Sequence, residues 1–282
     1  VRYLYGAPQV RWNSGRLLFR KQAQSPEEIQ AELTGAVDRG ITPLLTFSAT
    51  DIRPEEWADP LCNQILKWLD ALQGGVIVSD LGLNEYIRVQ YPHVERHASV
   101  IMTAFAATRD AAYYTGLTRE FRRYVVHPDD NHRPELLAQL PKEPAEIILN
   151  ERCGYQCARR GDHYRSIARS QRDLLDTGHC EPNFLEHCSF IPEGKQRSTT
   201  ERTISLTTRD AVRLHAQGFP LFKLQGRLDS PYVFFFDFLR YTLDNEVAFP
   251  TMFPVFSYRI RAFEKEKAQR KTQAPEEAVI SK

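Results

Sequence analysis

The chain lacks any long apolar run, and no stretch approaches the roughly 18 unbroken apolar residues of a membrane span. It also lacks net charge, since 37 Lys and Arg against 36 Asp and Glu leave a formal +1. Without a global positive field nothing draws a phosphate backbone regardless of sequence, so nucleic acid is disfavoured as a partner and a membrane is not expected. No secretory signal opens the chain; Val1-Arg2-Tyr3 begins directly on a strand-like segment, and a cytoplasmic protein is expected. Three catalytic signatures are missing as well. There is no Gly-x-Ser-x-Gly, no His-Glu-x-x-His, and no glycine-rich phosphate loop after any apolar run. Cysteine is scarce at five residues, which makes their placement informative.

Four of the five fall within 36 residues, as Cys153, Cys157, Cys180 and Cys188, just after the apolar run Glu146 to Leu149. Cys-x3-Cys repeats the thiol one helical turn later, and the later pair completes four soft ligands. That number holds a 4Fe-4S cluster or a structural zinc. Two disulfides are the third reading and require an oxidising compartment. A radical-SAM motif would need a cysteine at position 160, which is Arg160. His179 and His187 adjoin Cys180 and Cys188 as substitute ligands, with His163 a weaker candidate. Cys62 lies beside Leu61 and Ile65 and reads as core.

Short apolar runs alternate with amphipathic stretches along the chain. The expected strands are Tyr3–Tyr5, Pro43–Phe47, Gly75–Ser79, Ala98–Met102, Tyr124–His127, Glu146–Leu149, Thr203–Leu206 and Leu221–Leu224. The expected helices are Pro26–Val37, Pro54–Leu72, Leu83–Gln90, Arg109–Thr115, Arg133–Leu140, His163–Leu175, Thr208–Gln217 and Pro231–Leu243. Strict alternation predicts a parallel sheet, and eight pairs predict an α/β fold of the (β/α)8 TIM type. The barrel is expected as a single domain over residues 1–264, with a cysteine-bearing insertion around 150–200 and a charged C-terminal tail at 265–282. An open doubly wound sheet is the competing architecture.

In such a barrel the chemistry gathers just past the C-terminal ends of the strands. Cys153 lies on that rim, which favours a working metal over a remote one. His127 and Asp80 are candidate proton-transfer groups, although each could instead cap a following helix. Lys223 and Arg227 follow the last strand as cations suited to a carboxylate, and Gln225 shares their side because alternate strand residues point the same way. Trp12, Asn13 and Arg16 form a polar-aromatic loop suited to stacking on a ring, with packing under the barrel end as the bland alternative. Asn150 completes the rim. Phe234-Phe235-Phe236 with Phe238 and Leu239 is too apolar for a surface, and either packs on the barrel wall or marks a homo- or hetero-oligomer interface.

Thr203 to Asp210, Gln217-Gly218-Phe219-Pro220-Leu221-Phe222-Lys223-Leu224-Gln225-Gly226-Arg227 and Ser230-Pro231-Tyr232-Val233 resemble the late block of the U-thirty-two peptidase family, the collagenase-like proteases. Leu243-Asp244 matches that block's end, Glu146 to Cys153 its cysteine-bearing strand and His97 to Thr103 its fourth strand. The likeness runs from about Val76 to Asp244, although the three-residue gap between Cys153 and Cys157 is shorter than the family's. The resemblance implies a TIM-like barrel and an iron-sulfur enzyme that hydroxylates ubiquinone precursors or RNA bases without molecular oxygen, with prephenate as oxygen donor. For this chain it implies an oxidoreductase acting on a small aromatic or carboxylated substrate. The alternatives are a non-catalytic, metal-stabilised partner subunit of a biosynthetic complex and, third, a peptidase.

Overall fold

Start signals written in the sequence set the helices. Ser25 Oγ accepts from the Glu28 amide at 3.2 Å, Glu28 Oε2 accepts from the Ser25 amide at 2.8 Å, and Pro26 fills the first turn of α1 (Pro26–Val37). Gly40, at φ +69°, supplies the left-handed residue after the helix stops. In the computed structural model the described residues are 1–14, 24–151, 153–179, 204–226, 231–243, 247, 250–254, 257–258 and 261. The chain divides into two units, Val1–Gln225 and Gly226–Lys282. The expected tail at 265–282, with Cys180, Cys188, His187, Arg16 and Arg227, lies outside the described residues.

The first unit is built on one parallel sheet. Its strands are β1 (Tyr3–Gly6), β2 (Thr42–Phe47), β3 (Gly75–Val78), β4 (Glu95–Ala98), β5 (Arg123–Val125), β6 (Ala145–Ile148) and β7 (Leu221–Lys223), paired in chain order. Consecutive order with helical crossovers curls the sheet into a TIM-like half-barrel. Seven strands are present among the described residues rather than eight, and no backbone ladder joins β7 to β1. The expected strand Thr203–Leu206 is the missing one. Residues 204–207 take no strand conformation, because β6 already pairs Glu146 to Ile148 with Leu221 to Lys223. The Leu206 amide donates to Leu149 O, one residue past β6, at 2.8 Å.

A second expectation also fails in detail. The run Ala98–Met102 is not a strand: β4 ends at Ala98, and Ser99 caps the helix α4 (Val100–Phe105) by accepting from the Ile101 amide at 3.2 Å. The predicted helix Pro54–Leu72 breaks at Asp59, which closes a 3-10 turn at Pro54–Ala58 and caps α2 (Pro60–Ala71) through the Cys62 amide, 2.8 Å. Cys62, Ile65, Leu66 and Leu69 of α2 are buried on one face, each large side chain contributing about 1.5–3 kcal/mol. Gly75 is required by close approach: a Cβ there would stand 2.6 Å from Glu95 O.

Further crossovers are α3 (Leu81–Gln90), α5 (Ala111–Glu120), α6 (Pro134–Gln139), α7 (Arg160–Thr177) and α8 (Thr208–Ala216). Helix α7 has 18 residues, about 27 Å long at 1.5 Å per residue. It begins beyond β6, yet Arg172 donates to Asp51 O at 2.7 Å and Asp176 pairs with Arg11. It thereby reaches the loops that follow β1 and β2, spanning the C-terminal side of the sheet. In the second unit, α9 (Pro231–Thr242) leaves Phe234 and Phe238 more than a third exposed and Leu239 buried. No helix among the described residues is long and apolar enough to cross a membrane.

The inside of the curl is charged. His97 on β4 lies 3.1 Å from Glu95 and 3.6 Å from Glu146 of β6, and Lys223 of β7 stands 3.7 Å from Glu146 and 4.1 Å from the Tyr5 ring centre. Arg123 of β5 donates to the Tyr3 hydroxyl at 3.0 Å, and the Tyr5 hydroxyl donates to Leu224 O, linking the first strand to the end of the last through a side chain. Burial alone would push the Glu146 carboxyl up, but Lys223, His97 and Arg123 overrule it and hold its pKa down at about 2. Burial likewise works against the His97 imidazolium, and Glu146 and Glu95 outweigh it, so the pKa is raised.

Candidate functional site

Just beyond β5 the chain turns through His127 into a 3-10 turn, Pro128–His132, which sets Asp129 and Asp130 side by side and buries both. Asp130 is fully engaged. It accepts from the Tyr114 hydroxyl at 2.7 Å, from Arg109 Nε at 2.9 Å and from Arg133 Nη1 at 3.2 Å. The same Tyr114 oxygen accepts from the His127 amide at 3.0 Å, so α5 fixes the start of this turn.

His127 is buried and its Nδ1 accepts from the Asp129 amide at 3.2 Å. That bond places the proton of the neutral ring on Nε2. Burial, reinforced by Arg160 and Arg109, pushes the imidazolium down to a pKa of about 3. The ring is therefore a neutral donor at physiological pH. Asp129 accepts from the Gln156 amide at 3.1 Å and from Arg160 Nη2 at 3.5 Å, tying the turn after β5 to the loop after β6.

That loop carries the cysteines. Glu151 is buried, accepts from the Cys153 amide at 2.9 Å and from Gln225 Nε2 at 3.1 Å, and so braces the rim. Gln156, between Cys153 and Cys157, adopts φ +50°, a left-handed conformation that costs a non-glycine residue on the order of 1–3 kcal/mol. Its amide bond to Asp129 offsets part of that cost. Both cysteines are half-buried free thiols. Burial, with Glu151 and Cys157 nearby, pushes the Cys153 thiol up to about 11, while Arg160 pulls against the shift.

Ala104, Arg109, His127, Asp129, Cys157 and Arg160 line a cavity of about 220 Å³. Arg160 is 4% exposed; Nη2 donates to Gly154 O at 3.0 Å, whereas Nε and Nη1 are buried without a hydrogen-bond partner. Unmet donors of this kind cost about 1–3 kcal/mol in a folded protein.

Of the residues singled out from sequence, His127 and Cys157 line this cavity, and Cys153 lies in the loop beside it. The others are placed elsewhere or lie outside the described residues. Asp80 caps α3, accepting from the Leu83 amide at 2.7 Å. Lys223 is taken up by Glu146 inside the curl, and the side chain of Gln225 donates to Glu151. Trp12 is fully buried, donates to Glu56 O at 2.8 Å and meets Phe47 edge-on at 5.3 Å: it packs in the core and does not stack on a ligand. Asn13 pins its loop to Pro8 O at 2.8 Å and accepts from Thr46 at 2.8 Å. Asn150 clasps the backbone of Gln225 through 2.8 and 3.0 Å bonds.

Sequence reasoning missed Arg109, Asp130 and Arg160. A signal was present in the acid pair Asp129-Asp130 straight after a strand and in the basic run Arg159-Arg160 after the second thiol. Among the described residues no group of three or more His, Cys, Asp or Glu is disposed to hold a metal. Cys153 and Cys157 supply two thiols close enough to influence each other, which suits them to one shared centre.

No family model matches the chain, and no curated protein matches its sequence. Among solved structures, that of the U32 peptidase Mk0906 is similar, with a TM-score of 0.55 and 14% sequence identity over 81% of this chain and 86% of that one. At that identity the likeness is one of fold.

Proposed function

We propose that the chain is an enzyme whose reaction centre is the cavity between the turn after β5 and the start of α7, and that it carries out an oxygen-independent hydroxylation or related redox step on a small aromatic or carboxylated substrate. One observation carries this reading: a free thiol shares the cavity wall with two guanidiniums, a neutral histidine and a buried acid. Cys153 and Cys157, joined by Cys180 and Cys188, would hold a 4Fe-4S cluster, which supplies one-electron chemistry when bound. Zinc on the same thiols is the alternative. Around it, Arg109 and Arg160 orient the carboxylated end of the substrate or of a donor such as prephenate. His127 offers its Nε2 proton to a substrate oxygen, and Asp129 is the acid on the wall nearest to that ring, with 3.5 Å between Oδ2 and Nδ1.

Peptidase chemistry, for which the structurally similar Mk0906 is named, fits the geometry less well. A thiol nucleophile needs a histidine free to take its proton, and here Nδ1 is occupied by the Asp129 amide while Nε2 bears the hydrogen. The test is purification without oxygen, with iron and acid-labile sulfide measured per chain. About four of each is expected, falling to background in Cys153→Ala and Cys157→Ala. Stoichiometric zinc, or no metal in the parent, overturns the cluster.

A further inference from the structure

We infer that the N-terminus of α7 and the side chain of Arg160 form an oxyanion-binding subsite at the back of this cavity, one that takes a single carboxylate or phosphoryl group. The inference rests on the proposed reaction centre and assigns the part of it that grips the ligand. Two independent observations meet there. The first is the helix end itself. Helix α7 is 18 residues long, and both Arg160 and Gly161 of its first turn line the cavity. A helix N-terminus presents backbone N–H groups and the positive end of the peptide dipoles, which favours an anion. Here the Arg160 amide is taken by Cys157 O at 3.2 Å, and the amides of Gly161 and Asp162 are the ones the turn has left to offer.

The second is Arg160, buried to all but 4% and lining the same space, with Nε and Nη1 lacking any partner. Of its five N–H donors, the one on Nε and the two on Nη1 are unmet. A buried guanidinium whose donors find no partner in the protein is costly, and an oxygen-rich anion is a partner that meets both the donors and the charge. Arg109 brings a second cation to the wall, held in place by Asp130.

The acids nearby are already answered. Asp130 is shared by Arg109 and Arg133, and Asp129 takes one Nη of Arg160 and the Gln156 amide. Asp162, the acid in the first turn of α7, is 66% exposed and faces Arg165 at 3.3 Å. The cavity, about 220 Å³ and open to solvent on one side, has room for an oxyanion with the rest of its molecule reaching outward.

The experiment is calorimetric titration of the full chain, purified without oxygen, with inorganic phosphate, malonate and the neutral isostere malonamide at fixed ionic strength. At least one anion is expected to bind and malonamide not to, with phosphate-only binding assigning a phosphoryl ligand and malonate-only binding a carboxylate. Arg160→Lys keeps the charge and loses the fork of donors, and should weaken binding at least tenfold; Arg109→Gln should weaken it less. Should the Arg160 variant not fold, the parent's unfolding midpoint must still rise in the binding anion over equimolar chloride. No binding of either anion, equal binding of malonamide, or unchanged affinity in Arg160→Lys overturns the subsite. Iron counted on the same samples separates the two ideas: anion binding without iron sinks the cluster and leaves the subsite, and iron without anion binding does the reverse.

Discussion

Two buried charged clusters lie a few residues apart along the same strands, and they are built on opposite principles. Inside the curl, His97, Glu146, Lys223 and Arg123 oppose unlike charges, and the resulting pKa shifts of Glu146 and His97 both favour the ionised forms. At the C-terminal ends, His127 is held neutral, Gln156 is left-handed and Arg160 keeps unmet donors. The first cluster sets each charge against an opposite one and links β1, β4, β5, β6 and β7, with burial lowering the Lys223 pKa against the pull of Glu146 and His97 Nδ1 left 3.6 Å from Glu146 without a hydrogen bond. The second leaves chemistry unsatisfied, the usual signature of a site held ready for a ligand at the expense of stability.

Removing one partner from the inner cluster gives the largest effect. Glu146→Gln leaves Lys223 and His97 buried without their shared anion, and a loss of about 3–5 kcal/mol is expected in urea unfolding, with the metal and anion content of the folded fraction unchanged. A loss under about 1 kcal/mol would mean that the cluster does not hold the curl together. Asp130→Asn comes next. It removes the charge that Arg109 and Arg133 share, and about 1.5–3 kcal/mol is expected for weakened charge-assisted bonds, together with weaker anion binding because Arg109 is released.

Acid separates the two buried histidines by sign. Glu146, at about 2 when folded against an ordinary 4.5, contributes stability that is present above 4.5 and fades as pH falls toward 2. His97, raised above its ordinary 6.5, contributes fully below 6.5 and loses that contribution as pH rises through the folded value. Thus the contributions of Glu146 and His97 are together fullest between about pH 4.5 and 6.5. Lys223, its pKa lowered by burial, carries a cost that is relieved only as pH rises through its folded value. His127 runs opposite to His97. With a folded pKa of about 3, it leaves the unfolded chain binding the extra proton below 6.5, so stability falls from 6.5 toward 3. His127→Asn should flatten that acid slope and His97→Asn should not; NMR titration of the two rings is the direct check, and a mid-range pKa for His127 would contradict it. A smaller effect belongs to Asp80→Ala, about 1 kcal/mol for a lost helix cap with no change in ligand binding.

The sequence disclosed the βα rhythm because strands and helices bury apolar residues at periods of two and 3.6, and the capping residues Ser25 and Asp80 stand where the helices begin. It disclosed Cys153, Cys157 and His127 because soft ligands and imidazole at strand ends are chemically conspicuous. It misled at Trp12 and Lys223, since burial and charge pairing across 77 residues, as between Glu146 and Lys223, leave no local mark. The strand expected at 98–102 failed for a local reason: Ser99 stops one element and caps the next, and an apolar run of that length fits either. Charges at alternate strand positions, Glu95 and His97, were the overlooked sign of a polar interior, for a parallel strand is ordinarily apolar throughout.

The unfolding midpoint of Arg160→Met, measured beside Glu146→Gln, tests the contrast most directly. Met covers a similar space without donors, so it removes the unmet Nε and Nη1 groups at the price of two Nη2 bonds. If the second cluster is held ready for a ligand, the midpoint stays within a few degrees of the parent's, or rises above it, and anion binding is lost. A fall as deep as that of Glu146→Gln, with anion binding retained, would show that Arg160 serves the fold and that the cavity it lines is not the site.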